Sequence, residues 1–289
     1  RRMEEHGEGE FTANDGGYYV GKWKDGRRDG FGFSVAPHEV VKCGVWAKGR
    51  FRGEQMLYHS ERIYGIDISK YQHVHKRRGD GIDWRNLRIT RLGHTADRNA
   101  LGAVDYPVSF VYIKSTEGLT VFNPYYTQDV RAARRYGFPV GAYHFFSTRP
   151  AMSQADYFLK KSRLQKGDLP PMLDVELSDR RIAAMGGRDV LFREMLVWLK
   201  EIGRRSGTTP IIYVSQDFVN RYMPFAPEEL KAYPVWVARY GEYKPYVHLL
   251  YWQLSPDGRV RGIQGDVDID VFNGSEEQFK RYLRTQTVK

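Results

Sequence analysis

The chain is short of cysteine, of long apolar runs and of acids relative to bases, and each shortage closes off a class of protein. A single cysteine, Cys43, excludes an intramolecular disulfide and a thiolate cage around a metal. No run approaches the roughly 18–20 apolar residues that a membrane-spanning helix needs. The opening Arg1-Arg2-Met3-Glu4 is not a secretory signal. The basic residues come in small scattered groups such as Lys76-Arg77-Arg78 and Arg134-Arg135. No zinc-finger spacing or aromatic ribonucleoprotein motif accompanies them, so nucleic acid is not the expected partner.

The excess of base over acid gives a net charge of +10, which suits a polyanion such as an anionic membrane or an acidic cell-wall polymer. The length of 289 residues accommodates one large barrel-type domain with a small appendage. An aromatic share of 14%, with 20 Tyr and 6 Trp, points to surfaces that stack on sugar rings as well as to cores.

An internal repeat occupies the first part of the chain. Gly21-Lys22-Trp23-Lys24-Asp25-Gly26 recurs as Gly44-Val45-Trp46-Ala47-Lys48-Gly49, and Gly7, Gly30 and Gly53 keep the same 23-residue step. A fixed period with glycines at the turns predicts stacked β-hairpins. These units resemble MORN repeats, clearest over Tyr19 to Gly32 and degenerate in the second copy, where Cys43 replaces an aromatic and Gln55 a glycine. Residues 1–62 are therefore read as a small all-β MORN-like segment that leans on the domain behind it. It serves as a spacer or, as the resemblance implies, contacts acidic lipid or protein. Because the chain begins inside a repeat, further sequence, with an export signal, is expected upstream of Arg1.

From Ile63 onward, apolar strands alternate with longer amphipathic stretches, the pattern of βα units. Strands are predicted at 64–69, 109–115, 140–146, 171–176, 210–215, 235–240, 249–254 and 267–272. Eight strands in this length predict an α/β fold, an irregular TIM-like barrel over residues 63–289, with chemistry at the strand C-termini. Asn123 is expected to cap a helix that ends before Gly137, 152–164 forms a second, and Leu191, Met195, Trp198 and Ile202 form one buried helical stripe before Gly203. The connections after Tyr240 and Leu254 are too short and too rich in Gly and Pro for full helices. A long polar insertion runs from His73 to about Pro107, with Trp84 and Leu87 as its anchors.

The chemistry is expected around Leu173-Asp174-Val175-Glu176. In an extended strand, Asp174 and Glu176 share a face with Cα atoms roughly 6–7 Å apart. Taken alone, the pair fits catalysis, a calcium site or a surface edge. The other predicted strand ends add Asp67, Lys114, Glu117, Tyr143, His144, Arg239, Gln253, Asp266, Asp268 and Asp270. So many acids converging on one cleft repel each other, which favours a working site over packing.

Five motifs then carry a specific resemblance. Tyr64-Gly65-Ile66-Asp67-Ile68-Ser69-Lys70-Tyr71-Gln72, Phe110-Val111-Tyr112-Ile113-Lys114-Ser115-Thr116-Glu117-Gly118, Gly141-Ala142-Tyr143-His144-Phe145-Phe146, Leu173-Asp174-Val175-Glu176 and Val267-Asp268-Ile269-Asp270 resemble, in order, glycoside hydrolase family 25, the Chalaropsis-type lysozymes. His73, Val121 and the long loop before Pro107 depart from the family pattern. The resemblance implies a muramidase that cleaves the β-1,4 bond between N-acetylmuramic acid and N-acetylglucosamine in peptidoglycan. It implies catalytic roles for Glu176, Asp174, Asp67 and Asp268. Glu176 is then the general acid/base, with a pKa expected above the ordinary value of about 4.3, and Asp174 steers the substrate acetamide. Tyr143, Lys114, Glu117, His144, Trp236, Tyr240, Trp252 and Gln253 are candidates for substrate binding. No cofactor or metal is expected, since the acids lack thiol or clustered histidine partners, although calcium stays compatible. An extracytoplasmic monomer is expected. The competing readings are a non-catalytic peptidoglycan-binding protein and a scaffold driven by the repeats.

Overall fold

The computed structural model describes residues 6–15, 17–36, 42–53, 63–74, 81–94, 102–238, 249–273 and 276–289. Two sheets that share no hydrogen-bonded strand divide them. The first is an antiparallel meander of β1 (His6–Thr12), β2 (Tyr18–Lys24), β3 (Arg27–Val35), β4 (Lys42–Ala47) and β5 (Arg50–Gly53). The 23-residue step of the sequence is visible as two like turns. Asp25-Gly26 and Lys48-Gly49 both take positive φ at both positions, the two-residue turn whose twist matches paired strands. Trp23 and Trp46, equivalent in the repeat, meet the buried Tyr19 edge-on at 5.1 Å each. Gly32 leaves the space for that ring, since a Cβ there would stand 2.3 Å from the Tyr19 hydroxyl.

The remaining chain follows as β6 (Ile63–Ile68), β7 (Arg88–Arg91), β8 (Ala103–Pro107), β9 (Val111–Glu117), β10 (Val121–Phe122), α1 (Tyr126–Arg135), β11 (Val140–Phe145), α2 (Ala151–Ser162), β12 (Met172–Asp174), α3 (Asp179–Ala184), α4 (Arg188–Ser206), β13 (Ile211–Ser215), α5 (Gln216–Arg221), α6 (Glu228–Lys231), β14 (Val235–Ala238), β15 (Leu249–Arg261), β16 (Val267–Phe272) and α7 (Glu276–Thr285). Eight strands close a barrel in the order β6, β9, β11, β12, β13, β14, β15, β16 and back to β6. Each of the eight predicted strands is present, the fourth only over Met172–Asp174 and the sixth over Val235–Ala238, since 239 and 240 lie outside the described residues. The departure from a regular (β/α)₈ barrel lies in β16, which runs antiparallel to both its neighbours. A hairpin replaces the last crossover, as the sequence between Leu254 and Val267 is too short to return a helix across the sheet.

Alternation along each strand sorts residues into two layers. Outward residues such as Ile66, Ile113, Leu173, Ile212 and Val237 pack with Phe158, Leu191, Met195, Trp198 and Ile202 of the helices. Inward residues Phe110, Tyr112, Met172, Ile211, Trp236 and Tyr251 fill the barrel, and α7 closes its floor through Phe279. The aromatic filling requires glycine on the facing strands. A Cβ at Gly65 would lie 2.3 Å from Phe110, and one at Gly141 would lie 2.5 Å from Tyr112.

Several sequence expectations shift in detail. Helix α1 starts at Tyr126, and Asn123 instead closes a turn ahead of it, accepting from Tyr125 N at 3.0 Å. Helix α4 carries its predicted stripe but runs through Gly203 to end at Gly207, where φ is +70°. The 73–107 insertion supplies β7 and β8, which extend an antiparallel sheet from the end of β15, with Trp84 and Leu87 buried as expected.

Candidate active site

The polar cluster is the top layer of the barrel filling. Inward positions of the strands, read around the wall, are Asp67 on β6, Lys114 on β9, Tyr143 on β11, Asp174 on β12, Tyr213 on β13, Gln253 on β15, and Asp268 and Asp270 on β16. The antiparallel run of β16 decides the grouping. Its first residues lie at the end where the parallel strands finish, and register sets Asp268 directly opposite Asp67. Asp270 lies two residues deeper, opposite Gly65, with 0% exposure.

Asp174 and Glu176 are not equivalent. Strand β12 ends at Asp174, which is buried, whereas Glu176 lies beyond the strand and is exposed. The expectation of one strand carrying both acids is corrected here. The last backbone bonds of this strand run from Phe146 N to the Asp174 carbonyl and from Val175 N to the Tyr213 carbonyl. The two carboxyl groups still lie close enough for Glu176 to act on Asp174. Burial pushes the Asp174 carboxyl well above its ordinary range, and the charge of Glu176 pushes it further, against a smaller opposing pull from Lys114.

The other three acids form a second coupled group. Asp67 Oδ2 and both Asp270 oxygens are buried and, among the described residues, receive no hydrogen bond from a fixed donor, as does Asp174 Oδ1. Bare carboxylates in such places are very costly, so the group holds protons of its own. Burial raises Asp67, with Asp270 adding to it, and burial raises Asp270 as well. Asp268 is pushed up to about 10, first by burial and then by Asp67, while a hydrogen bond from Gln253 restrains it. The Tyr213 hydroxyl in turn donates to Gln253 Oε1. Tyr143 stands among Asp67, Asp174, Asp268 and Glu176, and burial followed by their charge raises its hydroxyl pKa.

Lys114 and Glu117 occupy the rim, paired at 2.8 Å, with the ammonium 4.8 Å from the Phe145 ring centre. Three expected substrate contacts do not reach the cleft. His144 faces outward by alternation with the inward Tyr143, and a register shift that skips Ser115 on β9 sets Thr116 opposite it. There it donates from Nε2 to Gln154 Oε1 at 2.9 Å, accepts from the Thr116 hydroxyl at 2.6 Å, and stacks on Trp198. Burial lowers its pKa to about 4, so it stays neutral. Trp236 is fully buried in the barrel filling, stacked on Tyr251, and Trp252 faces the helix layer. Asp266 is exposed and paired with Arg259. Arg239 and Tyr240 lie outside the described residues. Tyr213 is the site residue that sequence reasoning misses. Its signal is alternation with Ile211 on a strand whose register sets it opposite Asp174.

The profile of Glycosyl hydrolases family 25 matches residues 66–263, which include every acid-bearing strand of the barrel except the final one. The chain belongs to glycosyl hydrolase family 25. A family 25 assignment agrees with its relatives. The chain is 33% identical to the protein YegX of Escherichia coli O6:H1, over 78% of this chain and 74% of that one. It is 29% identical to Lysozyme M1 of Streptomyces globisporus, over 74% of this chain and 68% of that one. A solved family 25 glycosyl hydrolase from Bacillus anthracis superposes with a TM-score of 0.59 at 24% identity, covering 81% of this chain and 99% of that one, which shows a common fold. The chain is thus a glycoside hydrolase of family 25, with its acids at the open end of the barrel.

Proposed function

We propose that this chain is a muramidase, hydrolysing the β-1,4 bond between N-acetylmuramic acid and N-acetylglucosamine in peptidoglycan. The observation that carries the reading is the unequal pair, an exposed Glu176 beside a buried Asp174 at the mouth of a family 25 barrel. In the free enzyme, burial favours a proton on Asp174. A bound sugar covers Glu176, and its acetamide N–H offers Asp174 a donor, so the proton moves to Glu176. Glu176 then protonates the leaving glycosidic oxygen, and Asp174, now charged, accepts the acetamide N–H while the acetamide oxygen attacks the anomeric carbon. Glu176 afterwards takes the proton from the water that opens the cyclic intermediate.

Asp67 and Asp268 act beside this pair as positioning groups, with Asp270 beneath them holding a shared proton. Tyr143, Lys114, Glu117 and Gln253 fix the sugar and the acids, and His144, Trp236 and Trp252 support the wall. The substrate lies outside the cytoplasmic membrane, and the working enzyme is placed there with it. Residues 1–62 form a separate MORN-like unit from the barrel of 63–289. Support for this division comes from the independent sheet and from the matching turns at Gly26 and Gly49. Its contact with acidic lipid or protein is tested by vesicle sedimentation with the whole chain.

The deciding experiment incubates the protein with purified peptidoglycan and reads new reducing ends by mass spectrometry. Muramic-acid ends of retained anomeric configuration are expected, formed far more slowly with Glu176→Gln. Inverted products would overturn the acetamide mechanism, and absence of muramic ends from every wall type would overturn the muramidase reading.

A further inference from the structure

Beyond Leu254, strand β15 leaves the barrel at the end where the acids sit, and pairs there with β7 of the insertion. Val260 and Ile89 form the buried face of this ribbon. On its outer face arginine stands opposite arginine, Arg259 against Arg91 and Arg261 against Arg88, with a register shift between the two pairs. Like charges directly opposite destabilise an antiparallel pair. Two acids relieve part of this: Asp105 pairs with Arg88 at 2.7 Å and Asp266 with Arg259 at 2.6 Å. Among the described residues neither Arg91 nor Arg261 is in an ion pair, although Arg261 lies in the field of Asp105. Both are exposed.

The arginine face borders the cleft. Asp266, the partner of Arg259, precedes Asp268 by two residues, and its carbonyl accepts from Gln72 Nε2 at 3.2 Å in the turn that follows β6. A substrate strand leaving the acid cluster on this side meets guanidinium groups, which fit carboxylates in a two-pronged geometry. The sugars of peptidoglycan offer no such charge in their rings, but the peptide stems on alternate sugars do.

We propose that Arg91 and Arg261, on the β7–β15 ribbon, bind the carboxylates of peptide stems on the peptidoglycan strand next to the bond that is cut. This rests on the muramidase reading. The test uses the whole chain and the double variant Arg91→Gln/Arg261→Gln on three substrates: sacculi freed of phosphate-bearing polymers, the same sacculi with stem carboxylates amidated, and glycan strands stripped of peptide. On untreated stems the variant is expected to raise KM, and Kd by co-sedimentation, about tenfold at unchanged kcat, with a shallower dependence on salt. On amidated or peptide-free substrates it should match the parent, which also reports an intact fold. Equal loss on peptide-free glycan, or no loss on stem-bearing sacculi, would overturn the proposal. Arginine-dependent sedimentation without any muramic reducing ends would overturn the muramidase reading and leave the arginine face standing.

Discussion

Asp270 is the residue whose environment ties folding most directly to protonation. Its carboxyl is fully buried and raised by that burial, as are those of Asp67 and Asp174. An acid whose folded pKa lies above its unfolded value binds a proton more readily when folded, so the folded state loses stability as pH rises from the unfolded value of 3.8 toward the folded one. For Asp268 that window extends to about 10. Asp270→Asn should therefore flatten the decline of Tm with pH and raise Tm at pH 8 by at least about 2–4 °C, the equivalent of roughly 1 kcal/mol, with little change near pH 4. A scan of Tm against pH checks this, and a parallel profile for the two proteins would refute it. Glu176→Gln should lower kcat by roughly 10²–10⁴-fold, the usual contribution of a general acid, with the thermal transition intact.

At the level of elements, the reversed β16 and the aromatic barrel filling carry the site between them. Reversal brings Asp268 to Asp67, and the filling below holds both at a fixed height. Gly65→Ala would press a methyl group onto Phe110, which is itself held by Trp236, Tyr251 and Phe279. A loss of about 1–3 kcal/mol by denaturant unfolding is expected, the ordinary cost of overpacking. Removing the floor acts in the opposite sense. Phe279→Ala opens a cavity under Phe110 and Phe272 and should cost about 3–5 kcal/mol.

On the scale of the whole molecule, the meander and the barrel share no strand, and the meander keeps its own core of Tyr19, Trp23 and Trp46. Trp46→Ala should weaken the meander alone. Calorimetry and a cleavage assay on peptide-free glycan should find the barrel's main transition and kcat unchanged, whereas loss of barrel activity would show that the two parts fold as one.

What sequence alone determined follows from local chemistry. Apolar alternation set the strand positions, the glycine step set the hairpins, acids at strand ends stood out as costly without a use, and the family resemblance picked Asp67, Asp174, Glu176 and Asp268 from among them. What only the tertiary structure decided follows from register and direction. Nothing local to 267–272 says that the strand runs backwards, yet that direction puts Asp268 beside Asp67 and sinks Asp270 below them. The extra residue Ser115 on β9, which sets Thr116 opposite His144, is likewise visible only in the pairing. Trp236 reads as a sugar platform until the barrel closes around it. Asp174 and Glu176 read as neighbours on one strand face until β12 ends at Asp174, burying one carboxyl and leaving the other exposed.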